Sequence, residues 1–390
     1  MSQKEGSFFR RHAVWMATAT LMGTVIGAGV LAIPSVIAQS GFLVGAIDII
    51  VIGLAMLLLN LSLGEIVLRT NGHHQLTGYM EKYLGPWGKR LMMFSMIFGI
   101  YGALIAYIIG EGETLRTLFG GNPLWYSLLF FVVISLVIYK GVKATGRTAL
   151  VVISFSVTVI ILLSIFAIFD INVTNLTSFY PARFLVPYGV ILFAFLGTAA
   201  IPELREELIK EKQKLKKAII IGSIVPIVIY LLFAAVVVGI VGLDGFTLLE
   251  PNQQIATVAL SLYANPVIGI LANVFAVLSM LTASLSLGLA LREMYQYDYR
   301  LSPRAAFALT MILPFVLGIS HLTTFIRVID VTGAITGGVA GILIVLAYRK
   351  AQRTGERTPE YALHLPAGFY WLLLLLFSGG IVYQLLKTIV

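Results

Sequence analysis

Two short stretches of this chain place glycine and proline where a helix would otherwise run unbroken. The first, GTVIGAGVLAIP at 23–34, holds Gly23, Gly27 and Gly29 ahead of Ile33 and Pro34. The second, FAFLGTAAIPE at 193–203, holds Gly197 and closes on another Ile-Pro pair, Ile201 and Pro202. Glycine weakens a helix by about 1 kcal/mol relative to alanine. Proline removes a donor and clashes with the preceding turn. The chemistry open to such segments is that of bare peptide groups. N–H groups at the start of a half-helix attract a carboxylate, and unwound carbonyls attract an ammonium or a metal cation. A zwitterionic amino acid needs both. The simpler reading is that the glycines form a small-residue face for helix packing, but two such segments in one chain argue against packing alone. A phosphate loop is a poor third, because no strand precedes the glycines and no Gly-Lys-Ser/Thr follows them.

Bare peptide groups need shelter, and the rest of the chain supplies it. Of 390 residues, 59% are hydrophobic and 12% are charged, about half the charge of a soluble domain. The mean hydropathy of +0.95 excludes a soluble globular chain and a disordered one. Crossing a bilayer takes about 20 mostly apolar residues. Eleven apolar segments are expected to cross, at 13–38, 43–68, 91–115, 124–140, 148–169, 184–204, 217–242, 265–291, 304–320, 326–348 and 367–388, which leaves only short loops. The first segment is too long for the apolar region of a secretory signal and lacks a small-x-small cleavage site, so it reads as a retained span. With the N-terminus in the cytoplasm, 23 of the 27 lysines and arginines fall on the cytoplasmic side. Only Arg116, Arg183, Arg327 and Lys387 fall on the other, which sets the orientation and leaves the C-terminus extracellular. The formal net charge of +9 is then a set of topology signals and not a nucleic-acid surface. The basic run KEKQKLKK at 210–217 reads as a solvated cytoplasmic loop, with lipid headgroups as its alternative partner.

The interrupted segments are spans one and six. They lie five positions apart, an odd number, so the second five run through the membrane inverted relative to the first. The chain thus divides into a cytoplasmic tail at 1–12, a first repeat at 13–169, a second at 184–348, and an additional helix at 367–388. Gly/Pro-broken spans at matching positions of two halves point to a transporter's binding site. Irregular backbone at that depth is tolerated only where it is buried in protein or lines a polar cavity.

With GTVIGAGVLAIP, the following QSGF (39–42), AIPELREEL (200–208) and SMLTASLSLGL (279–289), the chain resembles the amino acid–polyamine–organocation superfamily. Within it the likeness is to the hydroxy/aromatic amino acid permeases, the tryptophan/tyrosine permease group, with the amino acid/auxin permeases as cousins. The resemblance implies an all-α integral membrane protein with the five-plus-five inverted repeat of the leucine-transporter type. By that resemblance the substrate carboxylate meets N–H groups around Gly27, Ala28 and Gly29. The amino group meets carbonyls near Gly23 and Phe193–Phe195, beside Gly197. Thr24 and Thr198 add hydroxyls, and Tyr107 supplies a wall or a hydroxyl contact. A sodium site of the superfamily's kind would join carbonyls of Gly23 and Ile26 to hydroxyls of Ser279, Thr282 and Ser286. Those three fall at i, i+3 and i+7, on one helical face, with Ser284 off it. Oxygen-only ligands suit a hard cation; the plainer alternative is that the hydroxyls bond back to their own helix. Proton-coupled relatives place a lysine inside the fifth helix. Here span five has neither lysine nor arginine, which favours Na⁺ over H⁺ without deciding it, since a carboxylate can carry a proton.

Acids inside membrane segments are functional candidates by default: Asp48, Glu65, Glu111, Glu113, Glu203 and Asp330. Glu65 and Glu203 lie where pairing with a basic residue, Arg205 or Arg11, would latch the inner mouth. The loop at 243–264 is expected to fold as a short helical lid on the outer side. There is no cysteine, no zinc-ligand spacing among the five histidines, and no nucleophile elbow or Walker loop. An enzyme and an ATP-driven pump are thereby disfavoured, and no obligate protein partner or resident cofactor is expected beyond the coupling ion. The expected function is uptake of a neutral amino acid, aromatic or large aliphatic, coupled to Na⁺ or H⁺ across the cell membrane. The alternative is a receptor on the same fold that binds an amino acid without moving it, and a channel is the third reading.

Overall fold

Proline starts the helices of this protein and glycine ends several of them. Pro86 and Pro123 stand at the first position of their helices, where a missing N–H costs nothing. Gly120 and Gly141, both at positive φ, close the same two helices. The computed structural model describes residues 3–141, 146–297, 299–320 and 322–389. Among these there are fifteen α-helices and no strand. In order they are α1 (Gln3–Val25), α2 (Ile33–Ser40), α3 (Phe42–Arg69), α4 (Leu76–Leu84), α5 (Pro86–Phe119), α6 (Pro123–Lys140), α7 (Gly146–Phe166), α8 (Tyr188–Ala194), α9 (Ile201–Glu207), α10 (Leu215–Leu248), α11 (Ala256–Tyr263), α12 (Pro266–Tyr297), α13 (Pro303–Ile319), α14 (Phe325–Thr354) and α15 (Ala367–Ile389).

Each apolar segment of the sequence coincides with one helix or one broken pair. Among the described residues, eight helical segments are long and apolar enough to cross a membrane: α3, α5, α6, the α8–α9 stretch, α10, α12, α14 and α15. The pair Ala13–Val25 and Ala28–Ser40, bent by 41°, makes a ninth. Helix α13 is apolar but has 17 residues. Helix α7 has 21 residues, and several of its side chains lie outside the described ones. The protein is therefore an all-helical, multi-pass membrane protein.

Several helices outrun their apolar segments, because a helix stops at a cap rather than where the hydrocarbon stops. Helix α10 continues past 242 to Leu248 with a kink at Gly242, where φ is 67°. The connection that follows contains the short helix α11, in the stretch where a helical lid is expected. Helix α4, between α3 and α5, is a nine-residue helix that the apolar pattern does not announce.

The two ends of the bundle are distinct. At one, Lys82 pairs with Glu356 at 2.6 Å, the N–H of Glu356 donates to the Arg69 carbonyl, and the Arg292 guanidinium donates to the Ile138 and Tyr139 carbonyls. At the other, Arg116 lies by Glu113 and Glu250, and Lys387 pairs with Asp330 at 2.8 Å. In between, α14 is the scaffold. Gly333 and Gly337 lie against Phe193 and Leu192 of α8, while Gly338 and Gly341 lie against Ile381 and Phe377 of α15. In lipid, where apolar surface has no reason of its own to leave its surroundings, such close approach is what holds helices together.

Candidate functional site

Helix α1 runs out at Val25. The Ile26 N–H still reaches back to the Met22 carbonyl (2.6 Å), but Gly27 donates to Val25, two residues back (2.8 Å). Gly27 is extended, at φ −113° and ψ −162°. A tight 3-10 turn, Ala28–Ala32, then leads into α2, with Pro34 at its start. No side chain caps that turn, and the first N–H groups of a helical turn have no acceptor within it. The second break has the same plan. Helix α8 ends at Ala194, Phe195–Gly197 leave helical geometry, and the uncapped turn Thr198–Ala200 leads into α9, with Pro202 at its start.

The breaks lie against each other. A Cβ on Gly29 would stand 2.9 Å from the Ala194 Cα and 3.0 Å from the Phe193 ring. One on Gly197 would stand 2.6 Å from Val25 Cγ2. Only glycine permits this approach. At Gly27, by contrast, a Cβ would meet nothing within 4 Å. Gly27 therefore faces open space beside two uncapped helical starts.

What fastens the breaks together is a residue the sequence pattern did not single out. Tyr230 of α10 is fully buried, and its hydroxyl is placed to donate to two carbonyls, that of Val25 at 2.7 Å and that of Ala194 at 2.9 Å. These are the last helical residues before each break. The Tyr230 ring lies 4.9 Å from that of Phe195, and Phe195 in turn lies near Gly53 of α3. A tyrosine alone in an apolar span, within IGSIVPIVIYLLFAAVV, was the available signal, since a buried phenol seeks a partner.

The other expected residues are placed as follows. Phe193 is half-buried and Phe195 buried, both at the second break. Tyr107 is buried on α5, with no hydrogen-bond partner among the described residues. Thr198 is buried, and its hydroxyl likewise makes no hydrogen bond among the described residues. Thr24 is exposed and bonds back to the Thr20 carbonyl at 2.9 Å. Ala28 and Gly29 are buried, as is every residue of 28–38. The half of the first broken span before its break and the half of the second after its break are more open, with Thr24, Ala199 and Glu203 all exposed.

Among the three hydroxyls proposed for a cation, Ser279 is buried and Ser286 exposed. The Thr282 hydroxyl is engaged by its own helix, on Leu278 (2.8 Å) and Ser279 (3.1 Å). None of the three is hydrogen-bonded to Gly23 or Ile26 among the described residues. Ser284, off their face, is buried with an unpartnered hydroxyl. Among the described residues no group of histidines and acids could hold a metal ion. Asp48 and Glu111 each bury a carboxylate oxygen that lacks a hydrogen-bond partner.

Glu65 has a full set of partners, and they differ from Arg205. Its fully buried carboxylate takes Arg69 Nε at 2.8 Å, the Tyr348 hydroxyl at 2.9 Å and the Leu363 N–H at 2.6 Å. It ties α3 to α14 and to the connector before α15. Arg205 instead donates to the carbonyls of Gly72 (2.5 Å) and Thr70 (3.3 Å). Its neighbours on α9 reach elsewhere, Glu206 to His73 (3.3 Å) and Glu207 to the Thr20 hydroxyl of α1 (2.9 Å). Arg11 has its side chain outside the described residues. Removing one partner of a buried ion pair costs roughly 3–5 kcal/mol. Glu65→Ala is accordingly expected to lower the melting temperature and the yield of folded protein. An unchanged melt in detergent would refute that anchoring role.

Known proteins resemble this chain over most of its length. The chain is 26% identical to glutamine transporter 2 of Aliivibrio fischeri over 81% of its own length and 83% of that protein's. It is 25% identical to tyrosine-specific transport system 1 of Haemophilus influenzae, covering 88% of this chain and 89% of the relative. Among solved structures it superposes on MhsT in complex with L-phenylalanine with a TM-score of 0.65, at 15% identity, over 96% of this chain and 97% of that one. That likeness is one of fold. Residues 10–386 match the tryptophan/tyrosine permease family, so the chain belongs to that family, whose members are amino acid permeases and not enzymes.

Proposed function

We propose that this protein is a secondary active transporter that takes up a neutral amino acid, aromatic or large aliphatic, by alternating access. In this reading the chain makes eleven spans arranged as a five-plus-five inverted repeat with one added helix. Its N-terminus is cytoplasmic and its C-terminus extracellular. The observation that carries the proposal is the contact between the two breaks. Two uncapped helical starts suit a carboxylate, two half-helix carbonyl ends suit an ammonium, and Gly27 opens beside them. Phe193, Phe195 and Tyr107 are candidates for the walls around the side chain. The relatives' names, which include a glutamine transporter and a tyrosine-specific system, support amino acid cargo of this size.

Burial of the outer halves of both broken spans, with the inner halves partly open, fits a state closed on the α11 side. The attachment of α9 through Arg205, Glu206 and Glu207 fixes the inner end of the second broken span. Glu203 lies at its open mouth and Glu65 anchors the floor beneath it. The coupling ion is Na⁺ or H⁺. Carbonyls of Gly23 and Ile26 with Ser279, Thr282 and Ser286 serve the first, and Asp48 or Glu111 the second.

The test is uptake of each of the twenty amino acids into proteoliposomes under an imposed Na⁺ or pH gradient. Accumulation that depends on one gradient and saturates is the expected result. Saturable binding without flux would replace the transporter by a receptor, and absence of both would overturn the reading.

A further inference from the structure

Between α14 and α15, at the Lys/Arg-rich end of the bundle, lies a cavity of about 490 Å³. Its polar lining is one-sided in charge. Arg349 and Arg353 stand one turn apart on α14, His364 faces them from the connector, and no acid lines it. The nearby carboxylates are engaged elsewhere, Glu65 by Arg69, Glu356 by Lys82 and Glu360 by Arg357. Arg349 is held over the Tyr370 ring, 5.7 Å from its centroid. Neither arginine has an ion-pair partner among the described residues. Gln352 is a fixed wall, its amide donating to the Tyr348 hydroxyl at 2.9 Å.

The rim of the cavity continues into apolar surface. Phe369, Trp371, Leu372 and Leu375 of α15 are all exposed, at 42%, 61%, 62% and 68%. Two of them are aromatics at the turn where α15 enters the membrane, the level at which aromatic side chains meet headgroups. The ligand this surface fits has a compact anionic head and a long apolar body. Basic pockets between transmembrane helices are suited to such headgroups. We propose that this cavity binds the phosphate of an anionic phospholipid, with Arg349 and Arg353 as its main ligands and the acyl chains along α15. This rests on the chain being a membrane protein and does not depend on the identity of its cargo.

The test uses the full-length protein in neutral detergent, titrated with phosphatidylglycerol, phosphatidylcholine or inorganic phosphate and read by native mass spectrometry. Wild type is expected to prefer phosphatidylglycerol at least about tenfold, in keeping with the attraction of two cationic side chains to an anionic surface. The preference should shrink as salt rises. Arg349→Gln with Arg353→Gln should remove it, while Arg304→Gln, on α13 and outside the cavity, should leave it intact. Thermal melting without lipid shows whether the double variant folds. If it does not, the single variants are each expected to lose part of the preference. Equal binding of the two lipids by wild type, or a preference unchanged in the folded variants, overturns the proposal. So does inorganic phosphate displacing phosphatidylglycerol at equal concentration, which would make the cavity a site for free anions.

Discussion

Replacing Gly27 by leucine is expected to abolish uptake while leaving the protein inserted and folded. The geometry separates these two outcomes. A Cβ at Gly27 meets nothing within 4 Å, and its φ of −113° is one that any residue adopts. The chain itself therefore has no objection to a side chain there. The cargo would object, because that open space lies beside the uncapped turn proposed to hold its carboxylate. Forcing extra methylenes into a fitted site costs about 1–3 kcal/mol, and each 1.4 kcal/mol is about tenfold in affinity. At the upper end of that range, expected for the four carbons leucine adds, uptake should fall about a hundredfold or more, with the apparent affinity for amino acid falling first. Gly27→Ala should sit between leucine and wild type. Gly29→Ala makes the instructive contrast, since its Cβ would stand 2.9 Å from the Ala194 backbone. That variant should lose folded protein together with uptake. If Gly27→Leu transports normally in proteoliposomes, the open space at the first break is not where cargo sits.

The breaks were legible in the sequence because glycine and proline change backbone energetics wherever they occur, and lipid magnifies the effect by offering no water to freed peptide groups. Gly27, Gly197, Pro34 and Pro202 needed no tertiary knowledge. Partnerships were harder to read. Glu65 and Arg69 stand at i and i+4, spacing that by itself allows an ion pair on a helix. A partner from another span nevertheless looked more attractive for a gate. Its remaining bonds, to the Tyr348 hydroxyl and the Leu363 N–H, join positions some 280 and 300 residues away in sequence, and no local pattern records them. The hydroxyls of α12 show the same boundary. The i, i+3, i+7 spacing of Ser279, Thr282 and Ser286 marks a shared face but not what that face meets. The structure buries Ser284 unpartnered on another side and turns the Thr282 hydroxyl back onto its own helix. Helix capping and side-chain reach are local quantities. The neighbour across a bundle is not.

Tyr230→Phe is expected to slow transport at least about tenfold, although it removes one oxygen from the core of α10. The ring would keep its place against Phe195, so packing is preserved and the hydroxyl alone is tested. Without it the carbonyls of Val25 and Ala194 lose the donor that both now face at 2.7 and 2.9 Å. A buried polar group left unsatisfied costs about 1–3 kcal/mol, which the melting temperature should register as a fall of a few degrees. Stability is not the discriminating readout, however. In the proposed mechanism these carbonyls end α1 and α8, across the breaks from the uncapped starts at Ala28 and Thr198 that hold the cargo, and Tyr230 gives α1 and α8 one fixed point in common. Loosening that point leaves the N–H groups in place while freeing α1 and α8 to shift independently. The maximal rate per folded molecule should then fall by more than the apparent affinity does. Tyr230→Leu, which also removes the ring, should lose both rate and folded protein. A Tyr230→Phe protein that melts lower yet transports at the wild-type rate per folded molecule would reduce Tyr230 to a packing residue, and the two breaks would have to be coordinated through the Gly29–Ala194 and Gly197–Val25 contacts.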